Sequence, residues 1–236
     1  MSVYTSVPHR RPALSAVLAP LKRHGTMLVL GAGIVLAAVG AGVAPAQATV
    51  AAALGEQERS LLQKAEAQLS AVSTLEARFQ QVSDNGASAD GVVAIKRPGR
   101  MRLDYDPPSK IQVIANGTHL IYIDKELDQT SYIGLDSTPA GILLREKVSF
   151  NDPDITVTAV RQDSVGAEVD LIMSGDAGAG TLTLVFNQKP FELRQWRMRD
   201  AQGITTTVML RDVKTGLSLD DARFKYVPKQ KLLNER

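Results

Sequence analysis

From Glu76 to Val213 the apolar residues of this chain recur with a period of two, in one short segment after another. Met101, Leu103 and Tyr105 alternate with Arg100, Arg102, Asp104 and Asp106; Ile155, Val157 and Ala159 repeat the pattern, as do Val165, Ala167, Val169, Leu171 and Met173. Leu182, Leu184 and Phe186 continue it, followed by Ile204, Thr206, Val208 and Leu210. Successive side chains leave opposite faces of a strand, so this alternation marks antiparallel strands with one buried and one solvated face. Turn signals fall between the runs: Asn85-Gly86, Pro98-Gly99, Asn116-Gly117, Gly178 to Gly180, Lys189-Pro190 and Gln202-Gly203. The runs number about eleven and are joined mainly by short hairpins.

Two segments depart from that period. Leu54 to Val72 places Leu61, Leu62, Ala65, Leu69 and Val72 at helical spacing among charged and amide residues, which predicts one amphipathic helix lying on another element. Thr138 to Lys147 interrupts the strands with Thr138-Pro139, a helix-opening pair, followed by the apolar cluster Ile142-Leu143-Leu144. The expectation is a single β-rich domain with two or three helices, without linker, low-complexity segment or internal repeat beyond the hairpins.

The first 48 residues read as an export signal. Lys22, Arg23 and His24 precede an apolar run of 17 residues, Met27 to Val43, which is followed by Ala46-Gln47-Ala48. A positive segment, an apolar core and a small-x-small site are the parts of a cleavable signal peptide, and the run falls short of the about 20 residues a spanning helix needs. The expected division is therefore 1–48 as a cleaved signal peptide and 49–236 as one folded domain located in the periplasm. Arg10-Arg11 raises the twin-arginine export route, which Pro12 and the distance to the apolar run argue against. The leader holds four basic residues and no acid, so the folded part carries 23 basic against 25 acidic residues, a net charge of −2. The basic balance of the whole chain belongs to its leader, and nothing points to nucleic acid. The chain has no cysteine, so it needs no disulfide and offers no thiol for lipid attachment after the signal.

Catalytic chemistry finds few carriers. His119 is the one histidine after the leader, beside the Asn116-Gly117 turn, and reads as a surface residue. Without cysteine, Cys/His metal sites are excluded, and no metal or cofactor is expected. Asp104 with Asp106, and Asp152 with Asp154 around Pro153, lack the spacing of a calcium loop and read as solvated carboxylates. Gly175 to Gly180 lacks the Lys-Ser/Thr of a phosphate loop. A hydrolase would need a nucleophile and base that the sequence does not present, so an enzyme is not expected.

Four stretches together resemble the LolA family of outer-membrane lipoprotein carrier proteins. They are Leu75-Glu76-Ala77-Arg78-Phe79-Gln80-Gln81; Ala94 to Tyr105, with its Lys96-Arg97-Pro98 turn; Val113 to Tyr122 around Asn116-Gly117, with Thr138 to Leu144; and Leu219 to Pro228, with Phe224-Lys225-Tyr226. The resemblance implies a mainly β fold with some α, an incomplete antiparallel β-barrel of about eleven strands covered by a helical lid. It also implies a monomeric chaperone for triacylated lipoproteins. Such a carrier is loaded by an inner-membrane ABC-type lipoprotein-releasing complex and unloaded onto an outer-membrane acceptor. The acyl-chain surface would comprise Met101, Leu103, Tyr105, Val113 and Tyr122, with Ile142, Leu143 and Leu144 as the underside of the lid. Arg97 matches the family's arginine that bonds to lid backbone and holds it shut. A lipid- or lipoprotein-sensing module and a free-lipid carrier are the alternatives on the same fold.

Overall fold

The computed structural model describes residues 54–228. The expected signal peptide and the tail 229–236 lie outside the described residues. Helix α1 spans Glu56–Ala71. Its first turn carries Glu56 and Glu58, favourable at the positive end of the helix dipole, and the Glu58 carboxylate accepts the Gly55 N–H at 2.8 Å. Leu61, Leu62, Ala65 and Leu69 form its buried stripe, the residues that the helical spacing selects.

Eleven strands follow: β1 Thr74–Ser83, β2 Ser88–Lys96, β3 Arg100–Tyr105, β4 Ile111–Asn116, β5 His119–Asp124, β6 Gln129–Gly134, β7 Ile155–Gln162, β8 Gly166–Met173, β9 Thr181–Asn187, β10 Leu193–Arg199 and β11 Thr205–Thr215. They make one sheet in the order β6-β5-β4-β3-β2-β1-β11-β10-β9-β8-β7, antiparallel throughout. The first and last strands pair at its centre, while β6 and β7 are its two edges. The sheet is therefore open, an incomplete barrel as expected. The chain passes between those edges through residues 135–154, a longer segment than the Thr138 to Lys147 interruption seen in the sequence.

That crossing segment is 3₁₀ rather than α-helical, in two pieces, Leu135–Ser137 and Pro139–Leu144. Thr138 caps the second, its Oγ1 accepting the Ala140 N–H at 3.0 Å, with Pro139 at the first position where no donor is missed. Gly141 is required by crowding: a Cβ there would stand 2.4 Å from the Leu135 carbonyl oxygen. The two pieces fold against each other, and only glycine lets them.

The concave face of the sheet, the buried stripe of α1 and the crossing segment share one apolar core. A smaller cluster, Ile114, Ile121 and Ile123, lies apart from it under Tyr226 on the convex face. Val165, read as the start of a strand, sits in the β7–β8 turn at 78% exposure, because Asp163 Oδ1 accepts the Val165 and Gly166 N–H groups and closes the turn there.

Gly141→Ala is expected to cost about 1–3 kcal/mol of stability by overpacking, with accelerated hydrogen exchange across 135–145. Urea denaturation with amide exchange checks this; wild-type stability would mean that the crossing segment is not tightly folded.

Candidate functional site

The turn between β2 and β3 joins the sheet to its cover. Gly99 has φ +71°, a conformation open to glycine, and a Cβ there would lie 2.9 Å from Gly117 Cα. The turn is thereby pressed against the β4–β5 hairpin, where the Gly117 N–H donates to the Gly99 carbonyl at 2.9 Å. From this fixed turn the Gly99 N–H donates to the Leu144 carbonyl at 2.7 Å. Arg97 Nε donates to the Leu143 carbonyl at 2.9 Å, and its Nη1 donates to the Leu69 carbonyl in the last turn of α1.

One guanidinium thus bridges helix and lid. Leu69 lies in the helix's last turn, at the negative end of the dipole, where its carbonyl accepts, apart from Arg97, only a long 3.4 Å bond from the Val72 N–H that caps the helix. No carboxylate among the described residues pairs with Arg97, and burial pulls its pKa down to about 10, which leaves it charged at neutral pH.

The segment that follows the lid is fastened to α1 directly. The Val148 N–H donates to Ser70 Oγ at 3.3 Å and the Phe150 N–H to the Glu66 carboxylate, with Val148 and Phe150 buried between them. Arg145, just past the lid, pairs with Asp152 at 2.7 Å and with Asp154, and those bonds hold the Asp154 carboxyl below the usual range.

All eight residues expected to line an acyl site are buried in the one concave core: Met101, Leu103, Tyr105, Val113 and Tyr122 from β3, β4 and β5, and Ile142, Leu143 and Leu144 from the lid. Tyr105 stands edge-on to Phe79 with centroids 5.1 Å apart, and its hydroxyl donates to Gln81 Oε1 at 2.7 Å. Burial raises the Tyr105 hydroxyl above the ordinary range and pushes Tyr122 up to about 12.

The other half of the sheet contributes as much, and the sequence reading assigned it nothing. A cavity of about 60 Å³ opens beneath Leu69 and Leu143, walled by Leu75, Ile95, Leu193, Trp196 and Leu210, with Gln68 and Glu192 also lining it. That is room for a few waters, far less than an acyl chain fills, while the cover is in place. Trp196 was missed because the strand register shifts between Leu193 and Gln195, which breaks the alternation that would have exposed it.

The polar candidates behave as surface residues. His119 is exposed and packs edge-on to Tyr132. Asp104 is bonded by Arg102 and Asp106 by Arg78. Among the described residues no group of three metal-ligating side chains forms, and no helix is long and apolar enough to cross a membrane.

Residues 70–227 match the family described as outer membrane lipoprotein carrier protein LolA. The chain belongs to that family. Its LolA relatives include an outer-membrane lipoprotein carrier protein of Azotobacter vinelandii, 30% identical, with 82% of this chain and 92% of that one covered. A second, from Dechloromonas aromatica, is 30% identical over 66% of this chain and 77% of its own length. Among solved structures, a LolA superfamily protein from Nitrosomonas europaea is similar at a TM-score of 0.44 and 12% identity, covering 72% of this chain and 97% of that one.

Tyr122 reports on the cover. With the lid shut its phenol is expected to titrate near 12; in Arg97→Leu, where water reaches the concave face, it should fall toward about 10. Because its folded value is raised, the closed form keeps the tyrosine's full contribution below about pH 10 and loses it as pH rises through 12. Site-resolved NMR titration of the Tyr122 ring checks both statements; an unshifted Tyr122 in the variant would show that Arg97 does not hold the cover.

Proposed function

We propose that this protein is a periplasmic chaperone that carries triacylated lipoproteins from the inner to the outer membrane with their acyl chains enclosed on the concave face of the sheet. The observation that best supports this reading is the cover. Helix and lid place Leu61, Leu62, Leu69 and Ile142 to Leu144 on the sheet's apolar face, and hydrogen bonds from one turn of the sheet fasten both pieces.

The physical problem is the hydration of acyl chains. A buried methylene is worth about 0.8 kcal/mol, so one 14-carbon chain left in water costs on the order of 10 kcal/mol. A carrier must supply an equivalent apolar surface, and must hide it when empty, since large exposed patches drive association. The cover solves both: its own leucines and isoleucine occupy the face, and acyl chains displace them. Loading then exchanges one apolar contact for another, so it can run in both directions. Met101 suits such a site because a thioether side chain adapts to a chain of variable position.

On this reading the protein binds and does not catalyse. An inner-membrane ABC-type lipoprotein-releasing complex supplies the cargo, an outer-membrane acceptor takes it, and the chain works as a monomer without cofactor. Arg97 is the latch whose bonds to Leu143 and Leu69 are remade on closing and help expel the cargo.

Native mass spectrometry of the protein purified gently from its own periplasm tests this. The expected result is a bound triacylated lipoprotein in wild type. In Arg97→Leu the same cargo is taken up, and its transfer to acceptor-bearing outer membranes falls about tenfold or more, the loss of one charge-assisted latch. Phospholipid or fatty acid as the sole ligand would make it a free-lipid carrier. An empty protein that also refuses lipoprotein from inner-membrane vesicles would overturn the carrier reading.

A further inference from the structure

The turn that carries Arg97 is gripped from the opposite side of the sheet as well. Lys96 and Arg100 flank it, paired across β2 and β3, and the alternation that aims Ile95 and Met101 at the concave core sends these two to the convex face. There Lys96 Nζ donates to the Leu219 carbonyl at 2.7 Å and pairs with Asp221, and Arg100 pairs with the same carboxylate. These cations hold the Asp221 carboxyl below its usual range.

Asp221 belongs to a strap, residues 217–228, that crosses the back of β1 to β6. Arg223 pairs with Glu76 of β1, Arg102 of β3 donates to the Arg223 carbonyl at 3.0 Å, Phe224 is 2% exposed, and Tyr226 covers the isoleucines of β4 and β5 and reaches Thr130 of β6. The strap ties down β1 to β6, the half of the sheet that includes the turn bearing Arg97.

We infer that Lys96, Arg100 and Asp221 are positioning residues for the latch: by clamping the strap to the turn on the convex face, they hold Arg97 and the Gly99 N–H where these reach the lid on the concave face. Drawing the strap away opens the cover. The turn can transmit this because it has little freedom of its own. Pro98 restricts its first half, and Gly99 is wedged against Gly117. A shift of Lys96 or Arg100 therefore carries Arg97 with it rather than being absorbed. The functional meaning of an open cover rests on the carrier reading above; the mechanical coupling does not.

The Gly99 amide, bonded to the Leu144 carbonyl, is the reporter, read by hydrogen exchange in the intact mature protein. Asp221→Ala is expected to raise its exchange about fivefold, with the amides of β10 unchanged. The conservative Asp221→Glu, which keeps a carboxylate for both cations and leaves the Lys96 bond to the Leu219 carbonyl in place, should retain the wild-type rate, which a loss of packing alone would not predict. Unchanged Gly99 exchange in Asp221→Ala, or faster exchange throughout the sheet, would overturn the inference. Arg97→Leu separates the two readings: if it frees Gly99 and Asp221→Ala does not, the latch stands and the coupling falls; if neither does, both fall.

Discussion

A guanidinium partly withdrawn from water without a carboxylate is a costly arrangement, and the cover of this sheet depends on one. The cost shows in the lowered pKa of Arg97. What offsets it is a set of backbone acceptors: the Leu69 carbonyl at the dipole's negative end and the Leu143 carbonyl of the lid. The choice of acceptor has a consequence. Breaking one partner of a buried ion pair costs about 3–5 kcal/mol, whereas hydrogen bonds from a charged donor to neutral groups contribute about 1.5–3 kcal/mol. On the proposed reading, carbonyls hold the cover firmly enough to close it and weakly enough to let it go. They also release it without stranding a buried carboxylate.

The open sheet makes such a cover necessary. With β6 and β7 left as edges, the concave face cannot be sealed by further strand pairing, and the chain seals it with the segment that runs between those edges. The edges themselves are guarded in the usual ways. β6 is short and almost wholly exposed, carrying polar residues over most of its length. β7 is irregular between Val157 and Ala159, and Arg161 on it is tied to Glu168 and Asp170 of β8. Irregularity and charge discourage pairing with a second chain.

Much of this was legible in the sequence because most strands, the edge strand β6 excepted, bury one face. Period two located the strands, and glycine or proline marked six of the turns. The Lys125–Asp128 turn escaped because the residue with positive φ is Asp128, not glycine or asparagine. The lid's place was readable from Thr138-Pro139, but its 3₁₀ form was not, since the crowding at Gly141 depends on where Leu135 folds back. The reach of Arg97 to Leu69 spans 28 positions and has no local signature. Nor had the strap: its pairs with Glu76, Lys96 and Arg100 join residues more than a hundred positions apart, and only folding brings them together.

That every latch acceptor is a backbone carbonyl has a further consequence for how such a protein can vary. Leu143 and Leu144 present their carbonyls to Arg97 and Gly99, and their side chains to the apolar core. The two duties are chemically separate. On the proposed carrier reading, a change of side chain at either position alters the apolar contact that an acyl chain would replace, while the hydrogen bonds to the two carbonyls keep their partners. Gly141 and Thr138 are different, because they shape the backbone that presents those carbonyls. The lid is thus free to tune its grip on the sheet through Ile142 to Leu144, and is constrained at Thr138 to Gly141.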